Sequence, residues 1–129
     1  MEKDIFSAFD TGQITADGET THLASLHWNR HGEYEGVYLK NIVTADKTGG
    51  LFTCHLVRIE PGKKIGLHSH PSSIELHEVI WGDGVCLTGQ RDILYAPGSI
   101  SILPADSPHE VRAGENGLHL FAKFINIPR

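Results

Sequence analysis

Two histidines and a glutamate, set at short spacings and bracketed by glycines, form the stretch of this chain best equipped for chemistry: Gly62-Lys-Lys-Ile-Gly-Leu-His68-Ser-His70-Pro-Ser-Ser-Ile-Glu75-Leu-His-Glu-Val-Ile-Trp-Gly82. Side chains at i and i+2 of extended backbone point to the same side, so His68 and His70 can face one cavity together. Pro71-Ser72-Ser73 reads as a turn, and a β-rich run over 74–81 follows, carrying Glu75. A hairpin of this kind sets a carboxylate beside two imidazoles, the mixed nitrogen and oxygen donor set from which a divalent metal site is assembled.

A second glycine-led stretch follows: Gly98, then Ser-Ile-Ser-Ile-Leu, Pro104 and His109. The pair resembles the two motifs of the cupin superfamily, G-x5-H-x-H-x4-E-x6-G without a gap, then G-x5-P-x-G-x2-H-x3-N with two departures. Asp106 stands where the family usually has glycine, and Ala113 where it usually has asparagine. Asp tolerates left-handed backbone better than most residues, so a turn at 106 can survive. Neither departure touches a ligand position. The resemblance covers about residues 50 to 125. It implies an all-β, single-domain double-stranded β-helix (jelly-roll) barrel with a metal held by His68, His70, Glu75 and His109.

Three neutral imidazoles and one carboxylate suit one divalent transition metal (Fe, Mn, Ni, Zn, Co or Cu) better than Ca or Mg, which prefer oxygen shells. Four protein donors leave up to two octahedral positions for a substrate, water or dioxygen, with the metal as Lewis acid or redox centre. An unbroken pleat over 74–81 would put Glu75, His77, Val79 and Trp81 on one face. His77 is therefore the candidate catalytic group for proton transfer. A buried histidine satisfied by a backbone carbonyl is the equal alternative. Trp81 reads as core filler. Arg58 on an inward face would be an anion contact, while Tyr38, Tyr95, His119 and Lys123 each fit the barrel lining, packing or surface. His22, His27 and His31 lack the close imidazole–carboxylate spacing of a second metal site. No Ser-His-Asp signature, nucleophile elbow, phosphate-cradling loop or dinucleotide fingerprint is visible, so chemistry should run through the metal.

The chain of 129 residues has the length of one domain with its own core. A net charge of −5 without a Lys/Arg cluster argues against nucleic acid as a partner, and no apolar run reaches the roughly 20 residues that cross a membrane. The first ten residues lack the apolar core of a signal peptide, which makes the cytoplasm the expected compartment. Cys54 and Cys86 read as buried small hydrophobes rather than a disulfide. Fourteen glycines and six prolines punctuate short β-forming runs near 36–43, 51–60, 64–68, 74–81, 84–88, 91–94, 99–103, 108–112 and 118–126. Residues 1–35 read as an N-terminal extension packing on the barrel or a partner subunit, and 36–129 as the barrel domain. An apolar barrel with such an extension suggests a homodimer. The expected function is a metal-dependent enzyme, of dioxygenase or isomerase/lyase type, acting on a small polar organic molecule. The alternative is a non-catalytic small-molecule binder or sensor, for which no attached output module is visible.

Overall fold

A computed structural model describes residues 4–128. Among the described residues, one α-helix, α1 (Ile5–Asp10), two short 3-10 helices (Leu23–Ser25 and Ala45–Lys47) and ten strands make up the regular structure: β1 (Gln13–Ala16), β2 (Glu19–His22), β3 (Asn29–Arg30), β4 (Val37–Val43), β5 (Phe52–Ile59), β6 (Lys64–His68), β7 (Ser73–Thr88), β8 (Asp92–Tyr95), β9 (Ile100–Leu103) and β10 (His109–Asn126). The chain folds as a β jelly roll. Its spine is the antiparallel pair β7 and β10, of 16 and 18 residues, which run together from Ser73↔Asn126 to Thr88↔His109.

Each long strand changes partner partway. The first half of β7 pairs with β9 and the second half with β8, while β10 pairs first with β6 and then with β5. β4 and β3 extend the sheet beyond β5. The runs 74–81 and 84–88 are thus one bent strand, as are 108–112 and 118–126. The glycines between them bend the chain rather than reverse it. At the bend a methyl group on Gly82 would lie 2.1 Å from the Gly117 carbonyl oxygen, and both glycines have positive φ, 90° and 85°. Only residues without a Cβ let the two backbones touch there.

β5 is buried on both faces. Val57 and Ile59 enter the barrel interior with Val37, Val79, Leu118 and Leu120, whereas Leu56 faces an outer layer with Phe6, Leu23 and Ile42. That outer layer is the N-terminal segment, α1 and the β1–β2 hairpin, folded on the chain's own barrel. Cys54 and Cys86 are free and buried, and burial pushes the Cys54 thiol up to about 11.

A buried lysine pins this segment down. Lys40 on β4 is 2% exposed, and its Nζ donates to the Asp10 and Leu23 carbonyls at 3.1 and 2.9 Å while pairing with Asp10 Oδ1 at 2.5 Å. A cation so deep persists only with its donors satisfied. Lys40→Met should destabilise the protein by about 3 kcal/mol, because the Asp10 and Leu23 carbonyls and the Asp10 carboxylate all lose the ammonium that pairs them. It should also open residues 4–28 to proteolysis. Urea unfolding and limited proteolysis read both effects, and an unchanged midpoint and digestion pattern would refute the pinning role.

Candidate metal centre

The strand pairings bring the donors together. Register sets His68, at the end of β6, directly opposite His109, at the start of β10, with ring centroids 4.4 Å apart. His70 lies in the loop leaving β6, where the Asp106 N–H donates to its carbonyl at 2.9 Å. Asp106 itself has a φ of 62°, so the aspartate adopts the left-handed conformation expected of the glycine it replaces. Glu75, in the first turn of the pleat on β7, points inward at 5% exposure. One donor atom from each of His68, His70, Glu75 and His109 falls within 4.8 Å of the others.

Hydrogen bonds prepare the ring nitrogens. His68 Nδ1 donates to the Gly66 carbonyl at 2.7 Å and His109 Nδ1 to the Ser107 carbonyl at 3.0 Å. A carbonyl only accepts, so each ring keeps its proton on Nδ1 and offers Nε2 to a metal. His70 Nε2 is buried with no hydrogen-bond partner, although Glu75 Oε1 is 3.3 Å away. An orphaned buried nitrogen is costly in a bare protein and suits a site whose Lewis acid takes the lone pair. The donor set fits a transition metal.

The carboxylate is held ionised. Burial opposes the Glu75 charge, but hydrogen bonds from His109 Nε2 at 2.9 Å and His77 Nε2 at 2.7 Å, with the charge of the His109 ring, hold its pKa well below the usual carboxylate range. Burial likewise opposes the His109 imidazolium, yet the bonds to Glu75 and Ser107 raise its pKa above the ordinary histidine value. His70 moves the other way, since desolvation outweighs the attraction of Glu75.

His77 is 2% exposed, and both its nitrogens are engaged. Nε2 donates to Glu75 Oε2, and Nδ1 accepts at 2.8 Å from the hydroxyl of Tyr95, whose phenol burial keeps protonated. The partners are side chains, not the backbone carbonyl of the alternative reading. Tyr95 therefore lies inside the barrel. The other candidates do not reach the site. A bulge at Ile80, between the pairs Val79↔Leu120 and Trp81↔His119, turns Trp81 outward to 41% exposure, where it stacks on His119. The pleat over 74–81 is broken there, so Trp81 leaves the face of Glu75 and is not core filler. Arg58 sits between the Trp28 and Tyr38 rings on the outer face, away from any inward anion contact. Lys123 pairs with Glu78.

A cavity of about 250 Å³ opens beside the cluster. Its wall includes residues with no signal in the linear spacing: His31, Glu33 and Tyr34 from the loop between β3 and β4, and Phe124 from β10. His31 Nδ1 accepts from the Glu33 N–H at 3.0 Å, so the neutral ring carries its proton on Nε2. The extension thus contributes to the cavity, a placement that only the fold reveals.

Comparison with known proteins places this architecture. The chain is 23% identical over 118 residues to the oxalate-binding protein of Thermotoga maritima, covering 89% of this chain and 95% of that protein. A solved structure from Thermotoga maritima, described as a predicted oxalate decarboxylase, superposes with a TM-score of 0.74 at 18% identity over 81% of this chain and 96% of its own. KdgF from Halomonas sp. superposes with a TM-score of 0.67 at 16% identity, covering 79% and 89%. The model of the Cupin domain family matches residues 55–121, the span that carries both motifs and the paired strands around the donor cluster, and the chain belongs to that family.

Proposed function

We propose that His68, His70, Glu75 and His109 hold one divalent transition metal, and that the protein uses the cavity side of that metal to act on a small oxygen-chelating molecule. The convergence of four donor atoms, one of them the orphaned His70 nitrogen, carries this reading. When bound, the metal would supply Lewis-acid or redox chemistry at its open positions. His77 serves as a positioning residue: it ties down Glu75 Oε2 and leaves Oε1 toward His70 and His109.

Metal uptake must displace the proton that His109 Nε2 donates to Glu75. Because the His109 pKa is raised, affinity should climb with pH through and above the ordinary histidine range and fall progressively below it. Elemental analysis and zinc titration from pH 5.5 to 8.5 check this. Single Ala variants of His68, His70 and His109 should lose most of the metal. His77→Phe should keep one metal per chain but bind it about 10–100-fold more weakly. Full occupancy in all three Ala variants would sink the assignment.

The reaction we favour is of dioxygenase or isomerase/lyase type. With four protein donors, a bound metal would keep up to two positions open beside the cavity, which would favour turnover over a closed structural site. The second reading, reversible binding without turnover, draws on the relative named an oxalate-binding protein and on the engagement of both His77 nitrogens. Oxygen uptake and product formation would be followed with iron-, manganese- and zinc-loaded protein across diketones, hydroxy acids and oxalate. Turnover with any of them supports the enzyme; tight reversible binding alone replaces it with the binder.

We also propose a homodimer in the cytoplasm. Leu94 on β8 and Ile100 and Ile102 on β9 face outward at 80%, 65% and 67% exposure, apolar side chains that a second copy would cover. Free buried cysteines accord with a reducing compartment, and no helix among the described residues is long and apolar enough to cross a membrane. Light scattering at micromolar concentration should give twice the chain mass for the wild type and less for Ile100→Lys/Ile102→Lys. A monomeric wild type would exclude the dimer.

A further inference from the structure

Resting on the metal reading above, we propose that the ligand is a monoanionic oxygen chelator bearing a short apolar tail, and that the cavity selects against dianions. The charges facing the cavity lead to this. Its lining contains two carboxylates, Glu75 and Glu33, and no lysine or arginine. The nearby cations of the β6 segment lie outside the lining: the half-exposed Lys63 and the exposed Lys64 sit 3.8 and 3.9 Å from Glu35 and Glu110. A divalent ion with Glu75 leaves one positive charge. A monoanionic chelator cancels it. A dianion leaves a second negative charge facing Glu33, an exposed carboxylate on the same wall, with no lysine or arginine to pair with it and only the neutral donors of His31, Tyr34 and Ser69 nearby.

The shape of the wall points the same way. Leu39, Val57, Ile65, Val111, Leu120 and Phe124 come from β4, β5, β6 and β10 to line the space next to the donors. Its volume of about 250 Å³ is on the order of eight times the share of one water in the liquid. A metal and two chelating oxygens occupy only part of it. The remainder is apolar surface that hydrocarbon would cover more favourably than a carboxylate or water.

Isothermal titration of zinc-loaded protein separates the possibilities, since zinc holds the chelate without redox chemistry. The probes share one head group: pyruvate, 2-oxobutanoate, 2-oxopentanoate and 2-oxoglutarate. Affinity should rise by about fourfold for each added methylene from pyruvate to 2-oxopentanoate. 2-Oxoglutarate, which exchanges the terminal methyl for a carboxylate, should bind at least tenfold more weakly than 2-oxopentanoate. Leu39→Ala should cut the gain per methylene below the wild-type fourfold, because it removes part of the apolar wall that the tail covers. A flat series in the wild type overturns the proposal, as does 2-oxoglutarate binding as tightly as 2-oxopentanoate. So does the absence of binding by every probe to zinc-loaded protein. Each of these leaves the metal reading standing; failure of the protein to take up zinc is the separate result that removes both.

Discussion

A carboxylate buried to 5% exposure must be answered by positive charge or by donors, and Glu75 organises the interior of this barrel through that requirement. One oxygen receives His77 and the other receives His109, with the orphaned nitrogen of His70 close by. Tyr95 then satisfies the far side of His77, which ties β8 to the centre of β7. Backbone carbonyls at Gly66 and Ser107 set the remaining tautomers. The result is a set of imidazole nitrogens aimed at one point, with the Nδ1 protons of His68 and His109 turned away from it and one proton, on His109 Nε2, still to be displaced by a metal. Without a cation at that point, His109 itself supplies the positive charge.

Such convergence needs strands that hold their register over a long span. Each half of β7 and β10 belongs to a different set of neighbours, so the corner at Gly82 and Gly117 decides whether the two halves enclose a cavity. A side chain at Gly82 would run into the Gly117 carbonyl and drive the two backbones apart. Beyond the corner, the bulge at Ile80 turns the strand over. Val79 stays in the core while Trp81 is released to the surface to stack on His119, itself packed on Phe6 of the N-terminal helix.

The N-terminal segment is a second layer with its own logic. β5 presents apolar residues on both faces, so something must cover the outer one, and Phe6, Leu23 and the neighbouring Trp28 do so. The buried ammonium of Lys40 fastens this layer through carbonyls and one carboxylate. Further along, the same segment returns to the barrel mouth and lends His31, Glu33 and Tyr34 to the cavity wall. Covering the sheet and shaping the binding space are thus done by one continuous piece of chain.

The sequence by itself determined the β architecture and the cluster of His68, His70, Glu75 and His109. Those features rest on short-range rules: period-two alternation, turn chemistry and glycine-bracketed motifs that resemble a known family. Asp106 was legible in the same way, because left-handed backbone is a property of one residue. Tertiary structure alone decided the rest. Glycines at 82 and 117 read locally as turns, yet they bend two continuous strands, because only the opposing backbone shows what their missing side chains allow. The face on which Arg58 and Trp81 fall depended on which side of β5 is covered and on a single bulge. The partners of His77, and the arrival of His31 and Glu33 at the cavity, join residues far apart in the chain. No local pattern encodes such contacts, since they arise only when strands meet in register.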